Sequence, residues 1–294
     1  QSHSGQNPNH FLPWHRMYVL FMENIIRQVS GHPEFAMPYW NYTSYDPALR
    51  GIVPLQFRMP TDPVYGVLYR PNRTKLANAG QSIQAKQTVD VLDLGTAMAK
   101  TSYSNVGKVQ GFCRALDTGV HSKLHVLTGT AKNMGSVPYA GRDPLFLVHH
   151  ANIDRIWAMW QADGHADEYP TSGGHAYHNR NDMMYPWVGS TAGFGTNSTV
   201  AASIPMPDVS AVGIKRNVDT LDMRGTFGYT YDTIAVVGIG LDRTGRMLGM
   251  TPDPMSTVAP PVTKWDAARR GVSAFLADCE TVQQSGLTYV IAGV

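Results

Sequence analysis

The chain has 294 residues, a hydrophobic fraction of 43%, a charged fraction of 16% and a formal net charge of +2. That length can bury one large core, or one core with an appendage, and its scattered Lys and Arg exclude the basic patch that nucleic-acid binding needs. No apolar run approaches the roughly 20 residues of a membrane span, and the two cysteines, Cys113 and Cys279, form neither a CxxC pair nor a disulfide framework.

In chain order, Pro13 suits the first turn of a helix, where its missing N–H costs nothing. Tyr18, Phe21, Met22, Ile25, Ile26 and Val29 then recur at helical spacing, with Gly31 as the stop and Pro33 beyond it. The aromatic, Pro-broken stretch "FAMPYWNYTSYDP" reads as a loop, and residues 43–80 as irregular. Residues 81–118 read as partly helical, "NVGKVQGFCRAL" being the better stretch. "HSKLHVLTG" follows. A Gly-rich loop then leads into "RDPLFLVHHANIDRIWAMWQ", a second long helix with Asp143 as N-cap and Pro144 at its first position. Residues 164–227 are loop-rich. "GYTYDTIAVVGIGL" reads as extended, 250–266 as a Pro-rich linker, "WDAARRGVSAFLADCE" as a short helix and "LTYVIAGV" as a strand. The chain begins at Gln1 with functional residues already crowded into its first ten positions, so a missing N-terminal piece is expected, and a truncated C-terminus with it.

The chemistry lies in the eleven histidines. His121 and His125 stand four apart, which on a helix puts both imidazoles on one face. His149 and His150 lie on a separate helix and can add a third nitrogen around one ion. Imidazole suits Zn, Cu, Fe and Ni alike, so ligand type does not name the metal. Adjacent histidines amid Phe146, Trp157 and Trp160 are costly unless their rings find partners. A zinc hydrolase needs Glu directly after the first His as general base, and Ser122 occupies that place. His15 opens an apolar helix, and His3 and His10 lie just upstream in a Gly/Asn/Pro loop. Together these make a second nitrogen-rich site, and two such sites facing each other in a helical bundle make a dinuclear centre. His32, His165, His175 and His178 are left over; "GGHAYHNRND" invites a metal reading, but a spacing of three in a Gly-rich polar loop reads as solvated surface.

"FLPWHRMY", "PYWNYT", "HSKLH" and above all "DPLFLVHHANIDRIWAMW", in this order and spacing, resemble the tyrosinase and polyphenol oxidase family of type 3 copper proteins. "GYTYD", residues 228–232, looks like the tyrosine motif that closes the family's catalytic core. The resemblance runs over about residues 1–232 and implies a mainly α fold: a four-helix-bundle core housing a dinuclear copper site, with long loops. Residues 1–232 would be the copper-binding catalytic core, truncated at its N-terminus. Residues 233–294 would be a linker and the start of a C-terminal β-rich segment.

The resemblance implies two copper ions, A and B. Copper B takes His121, His125 and His150, with His149 beside the pocket. For copper A, His15 matches directly. The usual position of a second ligand holds Gln6, and a longer loop brings in His3, favoured here over His10. The first ligand is either absent with the missing N-terminal piece, or His3 and His10 both bind; failing both, only site B fills. Cys113 and Cys279 match neither position of the family's thioether link, so none is expected.

The implied reaction oxidises o-diphenols with O2 to o-quinones. Asp117 stands where an acidic residue can hold a proton-accepting water, with a capping role as the plainer reading. Ser122 and Val126 follow the first two copper B ligands and tune monophenol hydroxylation; Ser122 lacks an amide there, which points to diphenol oxidation. Val137 is a gate or a loop residue packing on Tyr139. Asp154 orients a ligand or pairs with an Arg, and Arg16, Arg155 and Glu23 read as structural ion-pair members. The expected partners are a phenolic small molecule and O2, with no nucleic acid and no membrane. The alternative is a haemocyanin-like oxygen-binding protein. The chain reads as soluble, with its compartment undetermined and secretion one option.

Overall fold

The computed structural model describes residues 8–170, 217–232 and 287–292. The fold is helix-rich with few strands. Helix α1 runs Phe11–Ser30, with Pro13 in its first turn, and ends where Gly31 takes a left-handed φ of 71°. Four short helices follow: α2 (Lys75–Asn78), α3 (Gly95–Met98), α4 (Phe112–Leu116) and α5 (Ser122–Thr128). Then come α6 (Val137–Ala140), α7 (Leu145–Trp160) and α8 (Met223–Phe227). Strands β1 (Pro38–Trp40), β2 (Tyr229–Tyr231) and β3 (Leu287–Ala292) form one antiparallel sheet in the order β1-β3-β2. Tyr39 pairs with Thr288 and Thr230 with Ile291, so the last described segment of the chain lies between two strands of its earlier part.

α7 is the centre of the molecule. It packs on both α1 and β1, and nearly every one of its residues is buried, as expected for a helix apolar on most sides. Its N-terminus is held by Asp143, whose carboxylate accepts the Leu145 N–H at 3.0 Å and both Nε and Nη2 of buried Arg73 at 2.7 Å. The capping role read for Asp143 is therefore present, with the helix starting one residue later than expected. α7 also buries His149, His150, Asn152, Asp154 and Arg155. Polar groups at such depth demand partners.

One such partner set joins three elements. Asp154 accepts from Arg16 Nε of α1 at 2.5 Å and from the hydroxyls of Tyr229 and Tyr231 of β2, each at 2.6 Å. Arg16 also lies 3.7 Å from the Trp157 ring centre and donates to the Thr220 carbonyl. The pairing of Asp154 with an arginine is thus as expected, and the tyrosine motif closes onto the same carboxylate. Glu23 pairs with Arg27, and Arg155 lies over the Tyr39 ring.

The helix expected over "NVGKVQGFCRAL" covers only Phe112–Leu116. Val106 and Val109 instead bond to each other across a tight turn in which Gly107 has φ 57°, a conformation that interrupts a helix. The expected extended run from 228 is strand only at Tyr229–Tyr231. Its continuation from 233, the Pro-rich linker, the helix expected at "WDAARRGVSAFLADCE" and most of the 164–227 loop lie outside the described residues.

Candidate metal centre

His121 closes a wide, bulged turn over Asp117–His121, kinked at Gly119, and α5 begins directly after it. The His121 and His125 rings stand 4.6 Å apart at 79°. His121 Nδ1 donates to the Asp117 side: the carbonyl lies at 3.2 Å and the carboxylate at 3.0 Å. Asp117 also pairs with Arg114 at 3.0 Å, and the Ser122 hydroxyl donates to the Asp117 carbonyl at 2.7 Å. His125 Nδ1 donates to the Met134 carbonyl at 2.8 Å, so the loop after α5 sets the second ring.

From α7, His149 and His150 meet this pair. One potential ligand atom from each of His121, His125, His149 and His150 lies within 4.8 Å of every other, three of the four residues being buried. His149 Nδ1 lies 3.0 Å from the Tyr42 hydroxyl. Both nitrogens of His150 are buried without a hydrogen-bond partner among the described residues. From α1, His15 stacks on His150 with ring centres 4.1 Å apart at 12°, and its Nδ1 donates to the Phe11 carbonyl at 2.7 Å. Phe11 and Phe146 wall the group, 4.6 Å from His121 and 4.2 Å from His150.

Electrostatics keep the His150 ring neutral. Burial, and then the neighbouring imidazoles of His15, His149, His121 and His125, hold the His150 pKa well below its ordinary value. Neutral imidazole is the form that binds metal. Burial pushes the Tyr42 phenol up, against the smaller opposing effects of Asn152 and Arg155, so it keeps its proton. A buried imidazole with both nitrogens orphaned is costly unless something completes it. A metal ion in a nitrogen-lined, largely apolar site does so, and an all-imidazole donor set suits Cu, Zn, Fe or Ni.

Five of the expected site histidines, His15, His121, His125, His149 and His150, therefore come together. His149, expected beside the pocket, is inside the four-imidazole group. His10 is buried at the N-cap of α1, and His3 lies outside the described residues. Asp117 touches His121 directly and Ser122 is tied to the same turn. Val126 and Val137 are 63% and 57% exposed. Sequence reasoning did not single out Tyr42, although it stands in "PYWNYT", nor the Met134 carbonyl, which as backbone leaves no sequence signature.

The family model for the common central domain of tyrosinase matches residues 2–67 and 55–163. The chain is 29% identical over 180 residues to "Polyphenol oxidase II, chloroplastic" of Ipomoea batatas, covering 52% of this chain and 30% of that protein. It thus spans less than a third of that curated relative's length. Among solved structures, a latent aurone synthase (polyphenol oxidase) aligns with a TM-score of 0.44 at 21% identity, over 59% of this chain and 38% of that one. Deoxygenated hemocyanin from Rapana thomasiana aligns with a TM-score of 0.46 at 21% identity, over 80% and 56%. With the domain match reaching across more than half of the sequence, and the imidazole group lying inside it, the chain belongs to the tyrosinase family.

Proposed function

We propose that the chain is the core of a copper-dependent polyphenol oxidase that uses O2 to oxidise o-diphenols to o-quinones. The observation that carries this reading is the buried group of four imidazoles with His15 stacked against it. The names of curated relatives, among them "Catechol oxidase B, chloroplastic" of Solanum tuberosum and "Tyrosinase HcTyr1" of Hahella sp., support an oxidase over an oxygen carrier. In this reading His121, His125 and His150 hold copper B. His15, with His3 or His10, holds copper A. The four-helix bundle around them, and the division at residue 232 into a catalytic core and a C-terminal segment, belong to the same reading.

When bound, the copper pair would supply two-electron chemistry with O2. The chain's own residues do the rest. The carbonyls of Asp117, Met134 and Phe11 hold Nδ1 protons and so turn Nε2 lone pairs toward the metal. Phe11 and Phe146 keep water from the rings. In this reading Asp117, in contact with His121 and Arg114, would accept a phenolic proton through a water. Ser122 spends its hydroxyl on the Asp117 carbonyl and offers no amide to a monophenol, which favours diphenol oxidation. In this reading Val126 tunes the substrate side and Val137 gates it; both side chains are exposed.

The test is to load the chain with copper and add 4-methylcatechol in air. Quinone colour that appears only with copper supports the oxidase. Stoichiometric copper and reversible oxygen binding without turnover would establish the carrier instead, and no copper uptake would overturn both.

A further inference from the structure

His149 differs from its neighbours in what holds its Nδ1. In His15, His121 and His125 that nitrogen faces a backbone carbonyl, at 2.7, 3.2 and 2.8 Å. A carbonyl oxygen only accepts, so Nδ1 carries the proton and Nε2 keeps its lone pair, the form a ligand needs. His149 Nδ1 instead faces the Tyr42 hydroxyl at 3.0 Å, and a phenol can donate.

The surroundings decide the direction. Tyr42 is 0% exposed, so its proton needs a protein acceptor. The other polar groups acting on the phenol are the Asn152 side chain and the Arg155 guanidinium. Both pull the phenol pKa down, and Asn152 Nδ2 itself has no hydrogen-bond partner among the described residues. Arg155 has donors only; Asn152 Oδ1 accepts from Arg155 Nη1 at 3.1 Å and keeps a second lone pair, but among the described residues the phenol's hydrogen bond is to His149 Nδ1 and not to Asn152. The lone pair of His149 Nδ1 is the acceptor left at hydrogen-bonding distance.

We propose that Tyr42 donates its phenolic proton to His149 Nδ1 and so fixes His149 as the Nε2–H tautomer, a hydrogen-bond donor within the imidazole group and not a metal ligand. Tyr42 is then a positioning residue acting through His149. With Nδ1 spent on Tyr42, Nε2 is the nitrogen left to face His121 and His125, whose rings lie 5.3 and 4.7 Å away. Within the group His121 and His125 then turn lone pairs inward and His149 an N–H. A donor beside a metal has a natural partner in an anionic oxygen, and under the oxidase reading, on which this part rests, that oxygen belongs to the bound phenolate substrate.

The experiment uses the 294-residue chain labelled with 15N-histidine. Long-range proton–nitrogen correlations on the metal-free protein separate the two tautomers, and His149→Asn identifies the His149 signals by their disappearance. The expected result is Nδ1–H for His121 and His125 and Nε2–H for His149. Zn(II), a probe without redox chemistry, should shift the ring nitrogens of His121, His125 and His150 while His149 keeps its N–H. Tyr42→Phe removes one hydroxyl and keeps the ring; it should move the Nδ1 resonance of His149 alone toward that of an unbonded imidazole acceptor, a change that loosened packing would not confine to one imidazole. Nδ1–H at His149 in the unmodified chain, or coordination of zinc by its Nε2, would overturn the proposal. The tautomer is read without metal, so a chain with Nε2–H at His149 that takes up no copper would retain this assignment and lose the oxidase reading.

Discussion

His150 shows how a residue can be kept against the interest of stability. Both its nitrogens are buried without a hydrogen-bond partner among the described residues, and burial with its imidazole neighbours holds it neutral. A leucine of similar reach would remove the unsatisfied polar atoms and pack against Phe146 and Phe11. His150→Leu is therefore expected to raise the stability of the metal-free chain by about 1–2 kcal/mol and to abolish stoichiometric copper binding. Urea unfolding and copper titration of the one variant check both; a destabilised variant that still binds copper contradicts the assignment.

At the level of elements, Asp154 fastens α1, α7 and β2 to one another through Arg16, Tyr229 and Tyr231. Asp154→Asn leaves the Arg16 guanidinium buried without its counter-charge, for which about 3–5 kcal/mol of destabilisation is expected, measurable as a lowered urea midpoint. The loop after α5 makes a second case. A Cβ on Gly129 would strike Gly135 N and the Met134 side chain, and one on Gly135 would come within 2.8 Å of the Thr130 carbonyl. The same loop carries the Met134 carbonyl that sets His125. Gly129→Ala is expected to destabilise the chain by about 1–3 kcal/mol and to weaken copper binding with it, as isothermal titration would show. Unchanged affinity would mean that the loop does not position His125.

At the scale of the molecule, four buried tyrosines among the described residues shape the response to alkali. Burial pushes the phenols of Tyr42, Tyr103, Tyr229 and Tyr231 above their ordinary value. At pH values below the unfolded phenol pKa, about 10, both states keep their protons and stability is full. As pH rises past it, the unfolded chain loses protons that the folded chain retains, so stability falls, by about 1.4 kcal/mol per pH unit for each such tyrosine. Urea midpoints should drop between about pH 9 and pH 11, with phenolate absorbance from these residues appearing only on unfolding. Phenolates forming in a still-folded chain near pH 10 would refute the burial argument.

Local chemistry alone determined much of this protein. Helical spacing with Pro13 and Gly31 marked α1, Asp143 and Pro144 marked the start of α7, and four-residue spacing made His121 and His125 partners. These are near-neighbour effects, which a sequence states directly. The helix expected across Val106–Gln110 failed because Gly107 takes a positive φ that periodicity cannot express. Only the tertiary structure decided that His149 enters the group with His150, that Tyr42 supplies its Nδ1 partner from 107 residues away, and that a backbone carbonyl at Met134 orients His125. The reason is physical: a tautomer is set by whichever donor or acceptor the fold brings within about 3 Å, and neither a backbone carbonyl nor a distant hydroxyl is marked in the sequence as that partner.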